Sequence, residues 1–168
     1  MKSLLPKVSR EVADRHSAEL YSALRNNTIM DLFLRLGKEV ARESPLFASY
    51  MGFLSKSVAQ QKKRDNIVKL SSYQGGFTDI LYLLREVSPS LLPKFQQREL
   101  LSPDEILEGG NDIFHNSEFR RIVEEENPNL LYYYNKRFEE DLKSDNAPKR
   151  LGALFFGEGF LDGYRLLR

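Results

Sequence analysis

From Ile29 onward, apolar residues recur with the period of an α-helix. At 100° per residue, Met30, Leu32, Phe33, Leu34, Leu36 and Val40 fill one arc, and Asp31, Arg35, Lys38, Glu39 and Arg42 take the opposite one. Thr28 precedes the run with Asp31 three residues on, a capping-box-like start. Ser44-Pro45 then ends this helix and opens the next, with serine as N-cap and proline at the first helical position. That next run reads from Leu46 to about Leu70, with Phe47, Tyr50, Met51, Leu54 and Val58 at helical spacing and a basic C-terminal portion. Gly75-Gly76 reads as a break or kink before Phe77, Ile80, Leu81, Leu84 and Val87 resume the period.

The same punctuation divides the remainder. Val8, Val12, Leu20 and Leu24 predict a first helix over roughly Ser9 to Arg25. Ser88-Pro89 and Ser102-Pro103-Asp104-Glu105 repeat the serine–proline start, with Glu105 placed to bond back to the cap. Gly109-Gly110-Asn111 reads as a loop. Asn127-Pro128-Asn129 separates a short acidic helix from one beginning near Leu130. Residues 144–148 form the last connector, before a helix that runs to the end. No segment alternates apolar and polar residues long enough for a strand. The expectation is all-α: a compact bundle of roughly six to eight helices, with residues 1–168 as a single domain.

A chain of 168 residues can bury a core without a metal or disulfide. It contains no cysteine, which excludes a disulfide framework, a thiolate zinc site and a thiol nucleophile. The longest charge-free stretch, residues 44–55, is too short to cross a bilayer, and no signal peptide is visible. A cytoplasmic protein without a cofactor or membrane span is expected. The net charge is +1, yet residues 1–84 carry 13 Lys/Arg against 8 Asp/Glu, and residues 85–168 carry 12 against 16. Such asymmetry suits intramolecular pairing, association of copies, or an anionic partner.

The C-terminal helix carries the sharpest pattern. With Gly152 as origin, Gly159 and Gly163 fall within about 20° of it. Phe155 flanks that stripe on one side, and Phe156, Phe160 and Leu167 flank it on the other. Glycine in a helix costs roughly 1 kcal/mol relative to alanine, so something should offset three of them. A floor of glycine walled by aromatics lets another helix come close. That helix is either part of the same bundle or belongs to a second copy or a different protein. On the latter reading Gly152, Phe155, Phe156, Gly159, Phe160, Gly163 and Leu167 form an interface.

Lys56, Lys62, Lys63, Arg64 and Lys69 cluster around Asp65 and could neutralise nucleic-acid phosphates. They also suit a solvated helix C-terminus. No aromatic residues interleave them. Residues 99–126 hold nine acidic residues against two basic, a stretch that could face the basic segment. Tyr132-Tyr133-Tyr134 spreads over about 200° of a helix, so one ring should be buried and one exposed.

Histidine is scarce, with His16 and His115 alone. His115 is expected in a loop or at a helix cap. The spacing of Arg10 and His16 resembles that of HEPN-type helical ribonucleases, and the resemblance implies a helical nuclease centred on those two residues. Nothing fits a Walker loop, a dinucleotide-binding turn, a nucleophile elbow or a zinc-protease helix. The sequence thus favours a non-catalytic interaction, assembly or adaptor protein, oligomeric, with a protein partner or self-association. Nucleic-acid binding by residues 56–69 and ribonuclease chemistry are the alternatives.

Overall fold

The computed structural model describes residues 5–88, 99–109 and 113–168, and the side chains of all of these except 113–117 and 134–140. Among the described residues eight helices follow one another: α1 (Arg10–Arg25), α2 (Ile29–Glu43), α3 (Pro45–Gln60), α4 (Arg64–Val87), α5 (Pro103–Gly109), α6 (Ile113–Glu126), α7 (Pro128–Leu142) and α8 (Ala147–Leu167). No strand occurs among the described residues. The all-α bundle is therefore as expected.

Local chemistry starts several of these helices. The Ser9 and Ser44 hydroxyls accept from the N–H groups of Val12 and Phe47 at 3.2 and 3.1 Å. Ser102 and Glu105 close a reciprocal capping box, each backbone N–H donating to the other's side chain at 3.2 Å. Asn146 caps α8 by accepting from the Lys149 N–H at 3.1 Å. Thr28 departs from the expected pattern. Its hydroxyl donates back to the Ala23 carbonyl, and the α1–α2 turn closes through Asn27 in the left-handed region, φ 58°.

Two boundaries differ from expectation. The run from Leu46 to Leu70 is two helices, parted at residues 61–63, where no glycine or proline marks the turn. Gly75-Gly76 is no break: both glycines lie within the uninterrupted α4. Ser88 ends α4 as its C-cap, whereas Pro89 and the Gly110-Asn111 part of the predicted loop lie outside the described residues. On α2 the buried stripe is narrower than the predicted arc. Leu32, Leu36 and Val40 are buried, whereas Met30 and Leu34 stand 68% and 61% exposed.

The core is built around α4 and α8. Every residue from Gly76 to Leu81 is buried, so the middle of α4 has no solvent face. Val68 and Ser72 meet Gly152, Tyr73 and Phe77 meet Gly159, and Ile80 meets Gly163. These pairs advance together in sequence, so α4 and α8 run parallel, with their N-termini at one end of the molecule. On α2, Phe33 approaches Gly75 and Gly37 approaches Thr78, which places that helix along α4 in the same direction. Gln74 and Thr78 of α4 bond to Ser55 and Met51 of α3.

Candidate functional sites

The residues predicted as an intermolecular interface lie in the seam between α8 and α4 of the same chain. A Cβ at Gly76 would sit 2.9 Å from the Phe156 carbonyl carbon and the Phe160 nitrogen, and closer still to the Phe156 oxygen. One at Gly159 would sit 2.9 Å from the Tyr73 carbonyl carbon and the Phe77 nitrogen. Backbone touches backbone at both places, which only glycine permits. Gly163 faces Ile80, and Gly152 faces Ser72. Phe155, Phe156, Phe160 and Leu167 are buried; Phe156 packs on Phe33 and Phe160 on Tyr133. The stripe does admit a second helix, but that helix is α4, and its residues are core in the folded chain. Asp162 joins this core: its Oδ2 accepts from the Tyr73 hydroxyl at 3.0 Å, and its Oδ1 pairs with Arg165 at 2.8 Å.

The predicted basic residues gather at the α3–α4 corner. Lys56 lies in the last turns of α3, Lys62 and Lys63 form the connector, Arg64 begins α4, and Lys69 follows a turn later. The first four are exposed, and none has an acidic partner within 4 Å among the described residues. Lys69 instead lies 5.5 Å over the Phe155 ring. At a helix C-terminus these lysines would complement the dipole. Three of them stand at the N-terminus of α4, where the dipole is positive and Lys63 supplies no side-chain cap. The parallel packing adds residues that the sequence did not suggest. The first turn of α8, with Lys149 and Arg150 exposed, begins beside the first turns of α4. Among the described side chains, the acidic groups at this end are Asp65 in α4's first turn, Asp141 in the last turn of α7 and Asp145 on the α7–α8 connection.

His16 and Arg10 part company. Arg10 stays at the surface, 3.5 Å over the Tyr132 ring and bonded to Asn129 at 3.2 Å. His16 is 3% exposed. Its Nε2–H donates to Asp79 Oδ1 at 2.6 Å, while the Tyr133 hydroxyl donates to Oδ2 at 2.6 Å. Tyr82 stacks on the imidazole at 5.6 Å and Tyr133 tilts against it at 5.3 Å. Burial pushes the imidazole's pKa down, and the Asp79 charge and hydrogen bond, with smaller help from Glu86 and Glu19, carry it to a net rise. A nuclease would need Arg10 and His16 at one open surface. Here a phosphodiester could reach Nε2 only by displacing Asp79, so the arrangement joins helices rather than serving a substrate.

The remaining candidates resolve simply. Of the three tyrosines, Tyr133 is buried and Tyr132 half-buried, while Tyr134 and His115 fall among the side chains not described. In the acidic stretch, Glu126 pairs with Arg168 at 2.6 Å and accepts from Tyr164 at 3.2 Å, at the end of α8 opposite the basic corner. An apolar groove of about 240 Å³ opens between α3 and residues 100–105, lined by Leu46, Tyr50, Phe53, Leu100 and Leu101, with Phe53 53% exposed. No described helix is long and apolar enough to cross a membrane. No family model, curated protein or solved structure matches the chain.

Proposed function

We propose that the chain is a non-catalytic binding protein that holds a polyanion, a nucleic-acid backbone, at the α3–α4 corner. The observation that carries this reading is the placement of Lys62, Lys63 and Arg64 at a helix N-terminus without a side-chain cap and without ion-pair partners among the described residues. Cations there oppose the helix dipole and weaken the isolated fold. Parallel alignment of α4 with α8 compounds the cost, because two positive helix ends and the Lys149 and Arg150 side chains share that end. A phosphate chain would offset every one of these repulsions at once.

Contact with about four phosphates predicts a log K against log salt slope of about −3.6, a loss of roughly a hundredfold between about 50 and 200 mM salt. Retardation of a mixed-sequence oligonucleotide should show that steepness, with little dependence on base sequence. Lys62→Glu/Lys63→Glu/Arg64→Glu should abolish it while leaving the helical circular dichroism intact. No retardation at the lowest salt would remove the reading.

A second reading, docking of another protein chain or of a second copy, is favoured by the groove beside Phe53. A large aromatic ring half in solvent at the mouth of an apolar cleft is a recurrent feature of protein contacts. Its test is solution mass by light scattering, for the wild type and for Phe53→Ser. A strict monomer in both would leave only a foreign partner.

A further inference from the structure

The buried joint between α1, α4 and α7 is independent of the basic corner. Apart from Val8 just before it and the half-buried Val12, α1 is thinly anchored by apolar contacts. Its buried residues are Ala13, His16, Ser17, Leu20 and Ala23. Two of these are alanines, which bring little area, and two are polar. The Ser17 hydroxyl is buried without a hydrogen-bond partner, so it costs stability where it stands. At its start, α1 is tied to the head of α7 by neutral bonds: the Val8 N–H donates to Asn127 at 2.9 Å, and Asn129 donates to the Val8 carbonyl at 2.8 Å. Beyond that clasp, Leu20 and the His16–Asp79 pair are the main buried contacts holding the middle of α1 inward.

We propose that His16, Asp79 and Tyr133 form a proton-operated fastener: with the imidazole protonated, a buried ion pair holds α1 to α4, and with it neutral, that tie weakens and α1 becomes the first helix to open. The groups facing the imidazole fit this role. From α4 come Asp79, Tyr82 and Glu86; from α7 comes Tyr133; from α1 itself comes Glu19. Arg15 is engaged with Glu86 at 3.4 Å, and Glu19 pairs with Arg35 of α2. Tyr82, pushed up to about 12 by burial and by Glu86, Glu39 and Glu19, stays neutral throughout. The imidazolium is therefore the cation that directly faces Asp79. Because its pKa is raised on folding, the closure is fully present below the ordinary histidine value near 6.5 and is lost as pH rises through the higher folded value. When the proton leaves, Nε2–H can still donate to Asp79, so the bond remains and only its charge assistance disappears.

Amide hydrogen exchange followed by NMR between about pH 6 and pH 9, corrected for intrinsic rates, tests the fastener. Protection of the α1 amides should fall by about tenfold for each unit by which the folded pKa exceeds the unfolded one, while α4 and α8 keep theirs. The His16 ring resonances should titrate over the same range, assigned by their absence from His16→Gln. In that variant the amide still donates to Asp79 but cannot titrate, and α1 protection should become independent of pH. Equal loss in α1, α4 and α8 would overturn the proposal, as would a pH dependence that survives in His16→Gln or a His16 titration below the ordinary range. Asp79→Asn provides a stricter version, in which the ring should titrate below that range. If this variant fails to fold, the His16→Gln comparison decides alone.

Discussion

The face of α4 turned to α8 and the face turned to α1 and α7 hold their neighbours by opposite means. Toward α8 the side chains are deleted: Gly76 meets Gly159's helix backbone to backbone, with the Tyr73–Asp162 hydrogen bond at 3.0 Å as the polar contact beside it. Toward α1 and α7 a carboxylate is buried, with each oxygen taking one donor at 2.6 Å. The first joint gains chiefly from dispersion and excluded water, which carry no charge to titrate. The second depends on complete satisfaction of a buried charge, because losing one partner exposes the other to the full cost of desolvation. A single helix thus has one rigid neighbour and one neighbour whose attachment is conditional.

The largest effect is expected at the seam. Gly76→Ala or Gly159→Ala puts a methyl group into a neighbouring backbone that has no flexible end to yield, so the helices have to separate along the contact. Each should cost about 3 kcal/mol or more, lowering the melting temperature by about 6–12 °C for a chain of this size. Thermal unfolding followed by circular dichroism measures it. Wild-type stability in Gly159→Ala would mean that the two backbones are not in contact. Helix content should be kept or lost with the whole fold, because alanine favours helix locally.

The ionic joint ranks next. Tyr133→Phe keeps the buried ring and its packing on Phe160 but withdraws one donor from Asp79. A hydrogen bond to a buried carboxylate is worth about 1.5–3 kcal/mol, so the loss should be smaller than at the seam. Denaturant unfolding of Tyr133→Phe against wild type checks the order. A cost above that of Gly159→Ala would reverse it and make the buried carboxylate the stronger constraint.

The difference between these joints also explains what the sequence revealed. Helix starts at Ser9, Ser44 and Ser102 rest on bonds spanning three residues, and they appear where serine, proline and glutamate put them. The glycine stripe of α8 was visible as a periodicity, and so was its need for a close neighbour. Its partner was not, because Gly75-Gly76 resembles a chain break when only local propensity is weighed, and becomes a contact only once Phe156 lies across it. The polar joint left a fainter trace. Asp79 interrupts the apolar sequence Phe77, Ile80, Leu81, and a carboxylate on such a face requires a buried donor somewhere. The donor is His16, 63 residues away, and no spacing rule spans that distance. The same limit applies to the basic corner. Lys62 to Arg64 stood out as a charge run, but Lys149 and Arg150 join them only through the parallel packing of two helices.

The smallest predicted effect has the opposite sign, and it separates glycine used for contact from glycine that is merely tolerated. Gly52, on the outer face of α3, has no atom of the described residues within 4 Å of where its Cβ would lie. It lies mid-helix, with no positive φ to favour glycine. Gly52→Ala should therefore stabilise the protein by about 0.5–1 kcal/mol, through lower unfolded-state entropy and better helix propensity. It is one residue from Phe53 and close to the apolar groove, so it also reports on that surface. If alanine stabilises the chain and leaves solution mass unchanged, the site is open in the free protein and α3 can accept further side chains there. If it instead destabilises the chain or shifts the mass, another backbone approaches α3 at Gly52 as α4 approaches α8 at Gly159, and the outer face of α3 is a second seam.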